Sequence, residues 1–534
     1  MAYVVTQSCC ADASCVVACP VNCIHPAPGE EGFATAEMLY VDPRACVGCG
    51  ACATACPVDA IKPAATLTPD ERPFVALNAD YYDCFPHHDR TPLAPVAPQR
   101  RLTRPGPVRV AVVGAGPAGL YAADELLRHP GMSVDVYDRL LTPYGLVRHG
   151  VAPDHPHTKR VETLFRAIEE QPGFRYALGV DVGRDVTHAD LARRYHAVVH
   201  AGGASADRRL GVEGEDLPGS LAATDLVAWY NGHPERQGLP VPLHHERAVV
   251  VGNGNVALDV ARMLALDPAD LERTDVAALP WAALARSRVR EVVVLGRRGP
   301  ADAAFTLPEL VGLTALVDAG RLTVRLDTGG DPLPDGLPAY VATLAHRPPS
   351  PGARTIVLRF RTTPVRIVGD TTVSGVEVER DGVRETIEAG LVVRAIGYHG
   401  RPVPGLPHDP VTGTVTNDGG RVRPGLYVAG WAKRGPSGFI GTNKACAQQT
   451  VESLLDDLDD GLPDPTEPAD LPPGAVGLAG WRALDGEERR RGQARGRPRA
   501  KVVDPDEQRR LARAAAPPRP RRGYPAVRRL LARR

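Results

Sequence analysis

Several things are scarce in this sequence, and each scarcity removes a class of protein. Nowhere do apolar residues run on for the roughly 18 needed to cross a bilayer, so no membrane span is expected. The opening MAYVVTQSCC has neither the basic nor the apolar stretch of a signal peptide, so a cytoplasmic location is expected. Cysteines are few, 11 in 534 residues, and without export they are not expected to form a disulfide framework. Lysine is nearly missing: 58 of the 63 basic residues are arginine, which reads as genome composition. Net charge is +0, but Arg489 to Arg534 hold 16 Arg and 1 Lys against 3 acids. That segment carries +14 and the preceding 488 residues −14. The basic end is aromatic-poor with no folded reader beside it, so a nucleic-acid partner is not expected. No nucleophile or acid–base triad is evident either.

The cysteines that are present are concentrated, with nine before residue 57. Cys46-x2-Cys49-x2-Cys52-x3-Cys56-Pro57 is the sharpest signal in the chain. Three thiolates at this spacing point at one cluster, and the fourth, before proline, ligates the other cluster of a two-cluster ferredoxin. The partner run is Cys9-Cys10-x4-Cys15-x3-Cys19-Pro20. By that crossover Cys19, Cys46, Cys49 and Cys52 hold a [4Fe–4S] cluster. Cys56 joins Cys15 and either Cys9 or Cys10 around a second, for which three thiolates suit [3Fe–4S] better than [4Fe–4S]. Zinc knuckles are the competing reading, and the Cys-Pro ending disfavours them. Cys84 and Cys446 stand alone and are expected to be small buried side chains.

Two Gly-rich turns follow, each between a strand and a helix. In the first, Val108 to Val113 leads into Gly114-x-Gly116-x-x-Gly119 and a helix. Gly114 allows the tight turn, Gly116 the approach of a pyrophosphate, and Gly119 close packing of helix on strand. The next strand ends in Asp138, 24 residues after Gly114, where a carboxylate suits ribose hydroxyls and repels a 2′-phosphate. FAD or NAD is expected there. In the second, Arg247 to Val251 leads into Gly252-Asn253-Gly254-Asn255-Val256-Ala257, and the following strand ends in Arg297-Arg298. Two guanidinium groups favour a 2′-phosphate, so NADP(H) is expected. Residues 391–398 read as a buried strand returning the chain to close the flavin site, and Trp431 is a candidate surface for the flavin ring.

From Val108 to about Asp460 the chain resembles the adrenodoxin-reductase-like ferredoxin–NADP(+) reductases. The resemblance rests on Gly114-x-Gly116-Pro-Ala-Gly119, Tyr144-Gly-Leu-Val-Arg-His-Gly-Val-Ala-Pro-Asp-His155-Pro, and Gly252-Asn-Gly-Asn-Val-Ala-Leu-Asp-Val-Ala-Arg262. It rests also on Gly296-Arg-Arg-Gly-Pro300, Ala304-Phe-Thr-Leu-Pro-Glu309-Leu and Gly430-Trp-x-Lys-Arg-Gly-Pro-Ser-Gly-x-Ile-Gly-Thr-Asn-Lys444. The head resembles the seven-iron bacterial ferredoxins, in which Cys23 is a non-ligand near the cluster. The whole resembles the actinobacterial type that fuses the two. The resemblance implies FAD contacts from Ala118, Asp138, Leu146 and Val180, and from Trp431, Gly438, Phe439 and Ile440. It implies NADP contacts from Arg208, Asn253 to Ala257, Arg297, Arg298, Glu309 and Gly438. It also implies His155 near the flavin and nicotinamide rings, with Glu309 beside it. Such relatives carry a second Glu three residues after Glu309, paired with the His; here that position is Gly312.

The expected architecture is α/β, with two Rossmann-like dinucleotide-binding domains preceded by a small α+β ferredoxin domain. The expected division is a ferredoxin head at 1–62, a Pro-rich linker at 63–107, and the FAD domain at 108–205 and 394–460. The NADP domain is expected at 206–393 and a basic Pro/Arg-rich extension at 461–534, poorly ordered or only locally helical from about 485 onwards. The expected function is hydride transfer from NADPH to FAD, then single-electron transfer to iron–sulfur clusters and a ferredoxin or cytochrome partner, the flexible linker holding the head nearby. A glutamate-synthase-small-subunit-like electron-input module and a non-catalytic redox sensor are the alternatives.

Overall fold

The computed structural model describes residues 2–93, 100, 102–104, 106–204, 206–333, 344 and 347–514. The last part of the expected extension, 515–534, lies outside the described residues, as does 94–99 of the expected linker.

The head is small and built on short elements: β1 (Tyr3–Val5), α1 (Ser14–Ala18), β2 (Ile24–His25), β3 (Tyr40–Val41), α2 (Ala51–Ala55) and β4 (Ile61–Pro63). β1 pairs antiparallel with β4, and β2 with β3. The chain does not become a linker after β4. Helix α3 (Pro73–Cys84) starts with proline at its first position and buries Phe74, Leu77, Asn78 and Tyr82 on one face. Asn78 Oδ1 accepts from the amides of Val5, at 3.1 Å, and Val41, at 2.9 Å, so one side chain ties both small sheets to α3. The Tyr82 hydroxyl lies 2.7 Å from the Tyr40 carbonyl and 3.0 Å from that of Cys23. Proline content hid an apolar face at helical spacing, and the head extends to residue 84. Cys84, expected to be buried, is exposed at the end of α3, and Cys446 is half-buried.

The body is α/β. β5 (Val108–Val113), β6 (Met132–Asp138), β7 (Phe174–Leu178) and β8 (Ala197–His200) form a parallel sheet in the order β8-β5-β6-β7. Strand Leu426–Val428 adds beside β8, and Arg421–Arg423 closes that edge antiparallel. A second six-stranded sheet is parallel throughout, in the order Ser220–Ala222, Leu391–Arg394, Arg247–Val251, Glu291–Leu295, Arg354–Arg359, Leu322–Asp327. Val and Leu fill both faces, as a parallel sheet covered by helices requires. The segment expected to return the chain divides: Leu391–Arg394 belongs to this second sheet, and Tyr398–His399 pairs with Ala206–Asp207 in a ribbon where the chain passes between the two units.

The segment from about 485, expected to be poorly ordered or only locally helical, is helical and packed as far as it is described. Helices Leu478–Gln493 and Pro505–Arg513 pack on the first sheet's domain. Trp481 is fully buried and meets Tyr144 edge-on at 5.5 Å. Glu488 is also fully buried and accepts from Arg148 at 2.6 Å and from the Val502 amide at 2.9 Å. Arg499 pairs with Asp485, at 3.1 Å, and with Glu162. Lys501 reaches Asp275 of the second domain at 3.0 Å. Arg499 and Lys501, part of the basic charge that suggested a tail, are thus spent inside the molecule against acidic groups of the body.

Candidate electron-transfer site

The head presents its cysteines in two groups. Cys19, Cys46, Cys49 and Cys52 line one pocket together with Cys23 and Tyr3. This is the crossover set expected for one cluster, with Cys23 Sγ 3.4 Å from Cys19 Sγ. Cys49 is exposed, so this pocket faces outward. Cys9, Cys10, Cys15 and Cys56 form the other group, and Asp12 acts on the thiols of Cys9, Cys10, Cys15 and Cys56. Burial pushes the Cys9 thiol up to about 12 and raises the Cys15 thiol well above the usual range. Thiols in such surroundings become good ligands only when a cation offsets the lost hydration, so the donor set fits iron–sulfur clusters.

The first Gly-rich turn is shaped as a dinucleotide demands. Gly114 has φ +113, and a Cβ there would lie 2.6 Å from the Ala201 carbonyl oxygen. At Gly119 a Cβ would lie 1.9 Å from the Gly114 carbonyl oxygen, which is the close packing of helix α4 (Pro117–Leu127) on β5. Above Gly116 a Cβ would meet only Gly145, at 3.8 Å, so the helix N-terminus is open to a pyrophosphate. The Asp138 carboxylate accepts from the Ala115 and Leu140 amides, at 2.8 and 2.9 Å, at the end of β6. Val180 is buried beside it, its amide donating to the Asp138 carbonyl at 2.9 Å. Gly145, at φ +47, lets Leu146 start a short helix facing this turn. Gly430 closes on Ala118 from the other side, where a Cβ would lie 2.5 Å from that of Ala118. Trp431 tilts against Tyr398 at 5.0 Å and donates from its indole to the Ser437 carbonyl at 3.1 Å. Beyond it come Gly438 (φ +78), Phe439 and Ile440, the last two capped by Thr442 and Asn443. These residues fit FAD.

At the second turn Gly252 has φ +114 against the Ala395 carbonyl, and a Cβ at Gly296 would touch Asn253. Gly254 is open, and Val256 and Ala257 enter helix Asn255–Ala265 behind it. The Thr306 amide donates to Asn255 Oδ1 at 2.8 Å. Arg297 and Arg298 line a pocket of about 470 Å³ with Asp302, Asp331, Arg361 and Asp381. Arg361 is the member that motif reading missed, because it lies 63 residues beyond Arg298. Strand order brings it back, since Arg354–Arg359 is the neighbour of Glu291–Leu295. The Arg208 amide donates to the Gly397 carbonyl at 3.0 Å, on the ribbon.

His155 and Glu309 meet at Arg262. The Arg262 guanidinium donates to His155 Nε2 at 2.9 Å and to Asp154 at 2.5 Å, and pairs with Asp259 at 2.5 Å and Glu309 at 3.4 Å. Burial and the adjacent guanidinium push His155 below the usual imidazole range, consistent with a neutral ring accepting at Nε2. Burial alone would raise Asp154, but Arg262 and His155 outweigh it and hold it at about 2. Burial dominates at Asp259, raised to about 6, and at Glu309, also raised. Arg262 lay within a quoted motif, but nothing in its spacing gave it this role.

The head sits against these sites. Gln7 lies over Gly312, where a Cβ would fall 2.3 Å from its amide nitrogen. Glu37 accepts from Asn255 Nδ2 at 3.1 Å and faces Glu309. The Gly441 amide donates to the Cys10 carbonyl at 2.7 Å, and a Cβ at Gly438 would lie 3.1 Å from the Ala34 carbonyl. Arg160 pairs with Asp59 at 3.0 Å. The head, expected to be held nearby by a flexible linker, is docked, and by close backbone contacts more than by charge.

Two dinucleotide cradles joined through a ribbon, with a cysteine-rich head against both, define an FAD- and NADP-binding reductase joined to a 4Fe–4S-binding domain. The chain matches the pyridine nucleotide-disulphide oxidoreductase family over residues 108–293 and the 4Fe-4S binding domain over residues 39–62. Over its full length it is 51% identical to a probable ferredoxin/ferredoxin–NADP reductase of Mycobacterium tuberculosis, spanning 98% of that protein. It is 39% identical over 76% of its length to human mitochondrial NADPH:adrenodoxin oxidoreductase, 91% of which is covered. The solved structure of Mycobacterium tuberculosis FprA in complex with NADPH shares the fold, with a TM-score of 0.71 at 41% identity over 76% of this chain and 99% of that one. This chain belongs to the ferredoxin/ferredoxin–NADP reductase family. Among the described residues no helix is long and apolar enough to cross a membrane.

Proposed function

We propose that this chain takes electrons from NADPH and passes them one at a time, through its own head, to a ferredoxin or cytochrome-type partner. The observation that carries this is the docking of the Cys10–Asp12 loop on Gly438–Thr442, the segment assigned to the flavin. FAD and the iron–sulfur clusters, when bound, supply the exchange between an electron pair and single electrons. Gly114, Gly116, Gly119 and the N-terminus of α4 hold the FAD pyrophosphate, and Asp138 takes its ribose. Ala118, Leu146, Val180, Trp431, Gly438, Phe439 and Ile440 shape the remainder of that site. Asn253 to Ala257 receive the NADP pyrophosphate, Arg297, Arg298 and Arg361 its 2′-phosphate, and Arg208 lies on the ribbon between the two sites. Burial and Arg262 favour a neutral His155, and burial raises Glu309 above the usual carboxylate range.

In the head, Cys9, Cys15 and Cys56 take the cluster on the flavin side, of the [3Fe–4S] or [4Fe–4S] type. Cys19, Cys46, Cys49 and Cys52 take a [4Fe–4S] cluster on the outer side, where exposed Cys49 offers the exit to a partner. EPR of anaerobically purified protein before and after NADPH tests the reading. Reduction of both clusters is expected; bleaching of the flavin with both clusters left oxidised would overturn it.

A further inference from the structure

The two cysteine loops of the head are one loop used twice. Aligned on their Cys-Pro ends, Cys9, Cys15 and Cys19 fall on Cys46, Cys52 and Cys56, and Asp12 falls on Cys49. The backbone repeats the match. Ala11 and Ala13 have φ +53 and +59, where Gly48 and Gly50 have +70 and +77. α1 and α2 begin two residues after Asp12 and Cys49 respectively. The two helices end alike, with φ/ψ of −77°/118° at Cys19 and −74°/117° at Cys56. Glycine adopts the left-handed region freely and alanine does not, so the first loop keeps the ligand-bearing shape where the sequence resists it.

Asp12 is 8% exposed, among Cys9, Cys10, Cys15 and Cys56. Its partners are Ser14, whose amide donates at 3.4 Å and whose hydroxyl also donates, and Lys444 at 4.0 Å. A carboxylate so placed is costly unless a cation offsets it. Cys10 has another task. It is 3% exposed, packs into the flavin-domain core and accepts from Gly441 through its carbonyl, while Cys9 Sγ accepts from the Ala11 amide at 3.4 Å.

We propose that Asp12 is the fourth ligand of the flavin-side cluster, an oxygen ligand for an exchangeable iron, with Cys9, Cys15 and Cys56 as the three sulfur ligands. Three irons are held by thiolates and the fourth by carboxylate. Uptake is [3Fe–4S]⁰ + Fe²⁺ → [4Fe–4S]²⁺, with no net electron transferred: an Asp12 oxygen–iron bond forms as the incoming iron(II) loses a bound water. The one electron that first brings an oxidised three-iron cluster to its neutral level comes from NADPH through the reductase. Oxygen donors hold iron(II) less firmly than thiolates, so this corner opens first on oxidation. The inference rests on the two-cluster reading above.

The test uses the full FAD-loaded chain, oxidised with ferricyanide and then given NADPH and iron(II) without oxygen. In the unaltered protein the EPR signal of the oxidised three-iron cluster is expected after ferricyanide. NADPH with iron(II) is then expected to add one iron per chain, and a second ferricyanide pulse to release it. Asp12→Ala is expected to lose the uptake and stay at three irons, and Asp12→Cys to show no three-iron signal at all. The outer cluster's signal and the flavin absorbance serve as the folding control; where Asp12→Ala fails it, Asp12→Asn and Asp12→Cys decide. Iron uptake by Asp12→Ala equal to that of the unaltered chain would sink the proposal, as would no uptake by the latter. An unaltered chain with only the outer cluster would sink the two-cluster reading as well, which separates the two failures.

Discussion

Replacing Arg297 and Arg298 by alanine tests the nucleotide assignment where the structure is most specific. Both line the pocket of about 470 Å³, but they are not equally committed. Arg298 already holds Asp302 at 3.1 Å, and Arg361 holds Asp331 at 2.9 Å. Arg297 has no ion pair among the described residues. A hydrogen bond to a charged group contributes about 1.5–3 kcal/mol, and about 1.4 kcal/mol is tenfold in affinity. Arg297→Ala is therefore expected to weaken NADPH at least about tenfold. Arg298→Ala should do less, because its charge is partly spent on Asp302. The double variant should lose more than either single variant, upward of about tenfold, while NADH, which lacks the phosphate, barely changes. Anaerobic titration of flavin bleaching with each nucleotide gives the two affinities directly. A double variant that keeps its NADPH-over-NADH preference to within about twofold would refute the assignment of this pocket.

Three further predictions concern the docked head and the closing helices. Burial, with Glu309 and Asp259 next, pushes Glu37 well above the usual carboxylate range, and its Oε2 has no partner unless a proton is shared with Glu309. A raised folded pKa means docking is favoured fully below the ordinary Glu pKa of about 4.3 and weakens as pH rises through the elevated value. Hydrogen exchange across the Gln7 and Glu37 contacts, taken relative to the intrinsic amide rate at each pH, should rise as pH climbs above the ordinary Glu pKa of about 4.3, and Glu37→Gln should flatten that rise. Gly312→Glu restores the acid of related reductases but drives its side chain into Gln7. NADPH should still bleach the flavin at its normal rate, while cytochrome reduction falls several-fold; an unchanged cytochrome rate would show that docking is not needed for transfer. Glu488→Ala leaves Arg148, 1% exposed, without its counter-ion, a loss of about 3–5 kcal/mol. Thermal unfolding followed by flavin fluorescence should shift down by several degrees, and no shift would show that this buried pair is not needed for stability.

The two sheets were legible because Val- and Leu-rich strands alternating with glycine turns leave few alternatives. The head's reach and the folded end were not. Residues 63–84 and 478–513 were judged on proline and arginine content, which reports average solubility and says nothing about spacing. In α3 the apolar residues Phe74 and Leu77, with Asn78 and Tyr82, fall on one helical face, and only that periodicity reveals a packed element. In the closing helices the driving groups are charged. Arg499 and Glu488 are buried because they find each other and their partners on distant elements, a match that local patterning cannot show.

The candidate site divides along the same line. Every glycine and cysteine of the cradles announces itself within its own short motif, since each is needed for local backbone shape or local ligand spacing. Groups that arrive from another element do not. Gly312 illustrates the difference: read alone it is the loss of an acid beside His155, but in the folded chain it is the space that Gln7 enters. Glu37 brings a carboxylate to the same place from the head, facing Glu309, and Arg262 takes over the contact to His155. The acid expected on the reductase helix is thus matched by one supplied from the electron acceptor's own domain. Such an exchange makes the environment of Glu309 depend on whether the head is seated. Loss of docking and a changed Glu309 environment should therefore appear together in Gly312→Glu, which displaces the head, whereas an Arg262 variant should alter His155 with the head still seated.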